Sequence, residues 1–191
     1  MAKVIPDDRL TIPDNRALVQ QIEDLSRQSI MSCYQCGECT AGCPVAYMAD
    51  LMPNQIARLV QLGQDDEALG SSMIWLCVGC ETCATRCPRG VELSKVMDAL
   101  REVAVARGIP SKEPAIRTFH ETFLRSVERG GRVHEVSMLA EYKIRSLNLF
   151  SDMILGAKMF LKGKLALMPK FIKGRGEIKR IFKRSSKEPR A

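Results

Sequence analysis

The 191-residue chain has no cysteine outside two short runs, only two histidines (His120 and His134) and one tryptophan, Trp75. No glycine-rich nucleotide loop follows a strand pattern, no P-loop is present, and no nucleophile has a histidine partner. Nothing therefore resembles a catalytic centre, and the two histidines, without a matching constellation, default to surface or core roles. No segment reaches the roughly 20 uninterrupted apolar residues that span a bilayer. The nearest, Leu147 to Met168, contains Asp152, Lys158, Lys162 and Lys164, which are costly in hydrocarbon. With no signal-peptide pattern either, the expectation is a soluble or peripheral protein in a reducing, cytoplasmic compartment.

What the chain does have is eight cysteines in two runs, Cys33-x2-Cys36-x2-Cys39-x3-Cys43-Pro44 and Cys77-x2-Cys80-x2-Cys83-x3-Cys87-Pro88. This C-x2-C-x2-C-x3-C-P spacing is the ferredoxin ligand run for [4Fe–4S] clusters, in which the fourth cysteine of each run ligates the other cluster. The expected cofactors are two [4Fe–4S] clusters. Cys33, Cys36, Cys39 and Cys87 hold one, and Cys77, Cys80, Cys83 and Cys43 the other. Zinc sites instead pair C-x2-C units across a long gap, and a disulfide framework suits a short secreted chain. Pro44 and Pro88 restrict Cys43 and Cys87 to extended backbone, so the chain leaves each loop in a fixed direction. Gly37, Gly42 and Gly79 are expected to supply positive φ where amides turn towards sulfur.

The remaining pattern is helical. The spacing predicts helices over 15–30, 53–62, 65–76 and 92–107, giving a pseudo-repeat of helix, ligand loop and helix. Leu93, Val96, Met97, Leu100, Val103 and Ala104 form the clearest stripe, and Trp75 reads as core. Pro114 opens another helix ended by Gly130-Gly131, with Ile116, Phe119, Phe123, Leu124 and Val127 on one side, and further helices follow around 134–148 and 150–167. The fold class is mainly α: an α-helical ferredoxin-like domain with two ligand loops, plus a C-terminal helical extension. The expected divisions are an N-terminal arm (1–14), the cluster domain (15–110) and a basic extension for partner docking (111–191). Ser185 onwards is expected to be disordered.

Charge follows the same division. Residues 1–130 carry 14 basic against 17 acidic side chains, and residues 131–191 carry 15 against 5. A basic amphipathic tail can lie on anionic lipid or dock on a partner protein. The lack of a Trp/Leu-rich face or a lipidation signal favours the partner and leaves peripheral membrane contact as the alternative. Nucleic acid is not expected, since no binding motif accompanies the charge.

The stretches SCYQCGECTAGCPV (32–45) and IWLCVGCETCATRCPRGVEL (74–93), with the helix Val91–Arg107 that follows, make the chain resemble the C subunit of heterodisulfide reductase. The resemblance implies a helical electron-transfer subunit of an oxidoreductase complex. It would be non-catalytic itself, carrying electrons from the flavin-containing A subunit to the catalytic B subunit of a CoB–CoM heterodisulfide reductase-like assembly. The cysteine signature alone is shared with iron–sulfur subunits of succinate and glycerol-3-phosphate dehydrogenases. A free-standing carrier is the third reading, and the apolar-faced C-terminal region argues against it.

Overall fold

In the computed structural model the described residues are 16–147, 153–163 and 172–185, and they contain helices and no strand. The expected arm over 1–14 lies outside them, as does the stretch expected to be disordered except for its first residue, Ser185, which ends a helix. The chain divides into two compact units, one up to Glu113 and one from Pro114.

In the first unit, α1 (Arg16–Ser26) buries Leu18 and Ile22, four residues apart on one face. A 3₁₀ turn (Ile30–Ser32) with a fully buried Ile30 then leads into the first cysteine run. Within that run lies the short helix α2 (Glu38–Ala41). Helix α3 (Pro53–Gln61) starts on Pro53, whose missing N–H suits the first helical position, and Gln55 accepts a hydrogen bond from the Met52 N–H at 2.8 Å. Ile56, Ala57 and Val60 line its buried face.

The continuous helix expected over 65–76 is instead two, α4 (Asp65–Leu69) and α5 (Met73–Leu76), broken at Gly70-Ser71-Ser72. Asp50 explains the break. Its Oδ1 accepts from the Ser71 hydroxyl at 2.6 Å, the Ser72 hydroxyl at 3.0 Å and the Ser72 amide at 3.0 Å, while Lys112 Nζ reaches Oδ2 at 2.7 Å. One carboxylate thus pins the chain just before Cys77. Trp75 is buried, as its sequence context predicts.

After α6 (Thr82–Arg86) in the second cysteine run comes α7 (Leu93–Ala106), whose stripe of Leu93, Val96, Met97, Leu100, Val103 and Ala104 is wholly buried. It packs against α1, α4 and α5 and forms the spine of the unit. At its C-terminal end Arg107 bonds Asp65 at 2.8 Å and Gln21 at 3.2 Å, tying α7 to α4 and α1.

The second unit comprises α8 (Pro114–Gly130), α9 (Glu135–Arg145), α10 (Met153–Leu161) and α11 (Arg175–Ser185). Proline and glycine bound α8 where the sequence predicts, whereas α9 and α10 are shorter than expected. Helix α9 lies against α8 through an edge-to-face contact of Phe119 and Tyr142 at 5.7 Å and through Arg125 and Arg129 on Glu141. His134 is a helix cap, its Nδ1 accepting from the Ser137 amide at 3.3 Å. Helix α11 returns to α8, with the Ile172 side chain over Gly131 and the Arg175 Nε donating to the Arg129 carbonyl at 3.2 Å. Phe119, Phe123 and Leu124 on α8 remain 39–53% exposed.

Two outcomes follow. Leu100→Ala, at a fully buried site, is expected to cost about 2–5 kcal/mol, and Leu124→Ala less than about 0.5 kcal/mol; thermal unfolding of the anaerobic protein compares them. Asp50→Asn tests the second. Partial desolvation acts to raise the Asp50 carboxyl, but hydrogen bonds from Lys112, Ser71 and Ser72 outweigh it and hold the group well below its ordinary 3.8. A depressed folded value gives stability that is present above the ordinary value and fades as pH falls below it. The gap between wild type and Asp50→Asn should therefore be constant from neutral pH to about 5 and narrow below about 4.

Candidate iron–sulfur site

The two cysteine runs are built alike. Each begins where a buried helical turn ends in extended backbone, at Cys33 (φ −69°, ψ 120°) and Cys77 (φ −58°, ψ 116°). Each then passes through two left-handed residues before a short helix: Gln35 (φ 65°) and Gly37 (φ 82°) before α2, and Gly79 (φ 62°) and Glu81 (φ 60°) before α6. Glycine occupies the third place of one run and the fifth of the other, so each loop contains one non-glycine residue in a region L side chains disfavour. Cys87, before Pro88, is extended (φ −76°, ψ 115°), as proline demands.

One expectation is corrected. Gly42 has φ −95°, which any residue can adopt. Its requirement is space: a Cβ there would lie 2.8 Å from Arg86 Cδ and 3.1 Å from Thr82 Cγ2. Gly37 and Gly79 do hold positive φ, while Gln35 and Glu81 share that conformation without any composition signal to announce it.

Side chains fasten the loops to the helices around them. The Gln61 amide donates to the carbonyls of Ile30 at 3.0 Å and Cys33 at 2.8 Å, and Arg89 Nε donates to the Ser32 carbonyl at 3.3 Å. The second residue of α3, Asn54, accepts from the Thr40 hydroxyl at 2.6 Å and donates to Gln35 Oε1 at 3.4 Å. The second residue of α7, Ser94, donates its hydroxyl to Glu81 Oε1 at 2.9 Å. The helix that follows each loop thus supplies its brace.

Cys43, Cys77, Cys80 and Cys83 line one open cavity, with Val45, Met73, Val78, Leu93 and Met97 among its apolar walls. The first run therefore contributes its fourth cysteine to the surroundings of the second run's first three. On the other side, Cys39 lies in the field of Cys33, and the Tyr34 phenol lies beside Cys36 with Cys87 also in range. Cys36 and Cys80, the second cysteine of each run, are exposed, and the other six are partly buried. Among the described residues no three His, Cys, Asp or Glu side chains crowd around one single-ion position.

Burial pushes the Cys39, Cys77 and Cys83 thiols above their ordinary 9.0. Exposed Cys80 is pulled down by hydrogen bonding to Thr82, whose hydroxyl lies 3.4 Å from the sulfur. Backbone amides converge on the same sulfurs: Val91 N–H on Cys87 at 3.3 Å, Gly79 on Cys77 and Ser94 on Cys83. Soft thiols beside apolar walls, several of them met by N–H donors, are the donor set a sulfur-bridged iron cluster takes, and the residues present fit one. Ligation would deprotonate these thiols outright.

Residues 29–91 match the model of the 4Fe-4S dicluster domain. That stretch is thus a ferredoxin-type iron–sulfur domain, in an all-helical form among the described residues. The chain is, over that domain, a homologue of the heterodisulfide reductase C subunit. It is 40% identical over 84 residues to the iron–sulfur C subunit of CoB–CoM heterodisulfide reductase from Methanopyrus kandleri, covering 44% of each chain. It is 42% identical over 86 residues to the second such C subunit of Methanocaldococcus jannaschii, covering 45% of each. A protein of Archaeoglobus profundus, described as like the heterodisulfide reductase C subunit, matches at 30% over 131 residues, which is 68% of this chain and 66% of that one. The chain spans less than half the length of the first two relatives.

Gly37→Val places a β-branched side chain at φ 82° and is expected to cost at least about 1–2 kcal/mol. It should lower the iron content of anaerobically purified protein. Gly90→Ala also sits at positive φ (68°) but outside the cysteine runs, with open space at its Cβ, and should leave iron content near the wild-type value.

Proposed function

We propose that the chain is an electron-transfer subunit of a heterodisulfide-reductase-like complex, holding two [4Fe–4S] clusters by crossed ligation. Cys77, Cys80, Cys83 and Cys43 would hold one cluster, and Cys33, Cys36, Cys39 and Cys87 the other. The observation that carries this reading is the cavity that Cys43 shares with three cysteines of the second run. Bound there, each cluster would accept and release one electron at a time.

The chain's own residues do the rest. Gln61, Arg89, Asn54 and Ser94 hold the loops to rigid helices. Val45, Met73, Leu93 and Met97 wall one set of sulfurs on its apolar side while Cys80 stays exposed, and backbone amides of Val91, just before α7, and Ser94, in its first turn, meet sulfur. In this reading the chain carries electrons and a partner supplies the chemistry. The relatives' names, each a C subunit of CoB–CoM heterodisulfide reductase, support a place in a complex. The partners proposed with it are those read from the sequence, a flavin-containing donor like an A subunit and a catalytic protein like a B subunit. Residues 15–110 would form the cluster domain and 111–191 the docking extension, working in a reducing cytoplasm. No helix of the described residues is long and apolar enough to cross a membrane.

Cluster-resolved EPR of the single cysteine variants provides the test. Cys43→Ala should abolish the signal of the cluster built mainly by the second run, and Cys87→Ala that of the first. If each substitution instead removed the cluster of its own run, crossed ligation would be wrong. Anaerobic co-purification from the native cell should recover a flavoprotein and a cysteine-rich catalytic protein, and recovery as a lone monomer would contradict the complex.

A further inference from the structure

The two ligand loops repeat each other closely enough that their differences can be compared place by place. At the third place both backbones are left-handed with nearly the same φ, 65° at Gln35 and 62° at Gly79. Glycine is the unstrained choice there, and the second loop has it. The first loop holds a glutamine there, in a conformation that L side chains disfavour. A strained residue persists where its surroundings over-determine it, and such positions cluster at functional sites.

The surroundings of Gln35 are specific. Its Nε2 donates to Cys33 Sγ at 3.5 Å. Its Oε1 accepts from Asn54 Nδ2 at 3.4 Å, and Asn54 Oδ1 accepts from the Thr40 hydroxyl at 2.6 Å. The Thr40 hydroxyl, by donating to Asn54 Oδ1, leaves the Asn54 amide nitrogen facing Gln35. That in turn fixes the Gln35 carbonyl towards Asn54 and its amide nitrogen towards sulfur. The reverse orientation would aim a carbonyl oxygen at a thiolate. The chain Thr40–Asn54–Gln35 therefore presents a fixed side-chain donor to Cys33. Gly79 can present none to Cys77, and the second loop's own strained residue, Glu81, turns to the Ser94 hydroxyl.

We infer that Gln35 is a potential-setting residue for the cluster that includes Cys33, and that it makes two otherwise repeated loops electronically unequal. This rests on the cluster reading above. Reduction adds one negative charge to a cluster, and a donor aimed at a ligand sulfur stabilises that added charge, raising the reduction potential. Gln35 thus raises the potential of the Cys33 cluster by a side-chain contact at a place where the second loop has none, that loop's own side-chain donor being the Thr82 hydroxyl at Cys80. It is a positioning and tuning residue, not a ligand.

The positive φ makes the test clean, because Gln35→Gly suits the backbone and copies the second loop. Full-length, anaerobically purified protein would be assayed for iron and acid-labile sulfide and titrated electrochemically with EPR detection. Gln35→Gly should keep wild-type iron content and shift one midpoint to more negative potential, leaving the other in place. Gln35→Glu, which replaces the donor by a carboxylate, should shift the same midpoint further in the same direction. Wild-type protein without [4Fe–4S] signals would overturn the cluster reading itself. With clusters present, the inference on Gln35 fails if both midpoints stay put or move equally. It also fails if Gln35→Gly loses a cluster, since the residue would then be structural.

Discussion

The arrangement of the first unit depends on two cysteine loops lying within side-chain reach of each other. They approach closely at Gly42, over which the Arg86 side chain passes so near that a methyl group would meet it at 2.8 Å. Around this point α2 packs on α6, and the fourth cysteine of the first run enters the cavity walled by the second. Helices enforce the approach from outside. Helix α7 buries its whole apolar stripe, and its N-terminal amides face the sulfurs. Stability and the placing of the thiols are therefore coupled, because the elements that bury the core also position the cysteines.

A repeated loop invites symmetric behaviour, and the chain departs from symmetry at a few defined places. Glycine and non-glycine exchange positions between the runs, and a glutamine faces a ligand sulfur in one loop where the other has no side chain. Asp50 pins the approach to the second run through Ser71 and Ser72, whereas Gln61 pins the entry to the first through two carbonyls. The same cysteine spacing is thus supported by different braces in the two runs.

Much of the fold was legible because its signals are local. The stripe on α7 and the Pro114 and Gly130 limits of α8 follow directly from helical periodicity and terminal chemistry. The break between α4 and α5 was not legible, because it depends on a carboxylate more than 20 residues upstream. Positive φ at Gln35 and Glu81 was likewise hidden, since neither residue type marks that conformation. Only the register between the runs, which sets Gln35 opposite Gly79, could have flagged it. Gly42 has the composition of a conformational glycine while its role is steric, a distinction that needs the neighbouring loop. On α8 the apolar side chains were found, but Phe119, Phe123 and Leu124 stay largely exposed, because periodicity names a face and not what covers it.

The central claim is that one short chain holds two cubane clusters as near neighbours. Spin-quantified EPR of the fully reduced protein, with iron and sulfide measured on the same sample, tests it most directly. The account predicts about eight irons and about eight sulfides per chain, as two [4Fe–4S] clusters require. It also predicts two spins per chain, with the line broadening of mutually interacting centres. A single unbroadened spin, or iron without acid-labile sulfide, would contradict it.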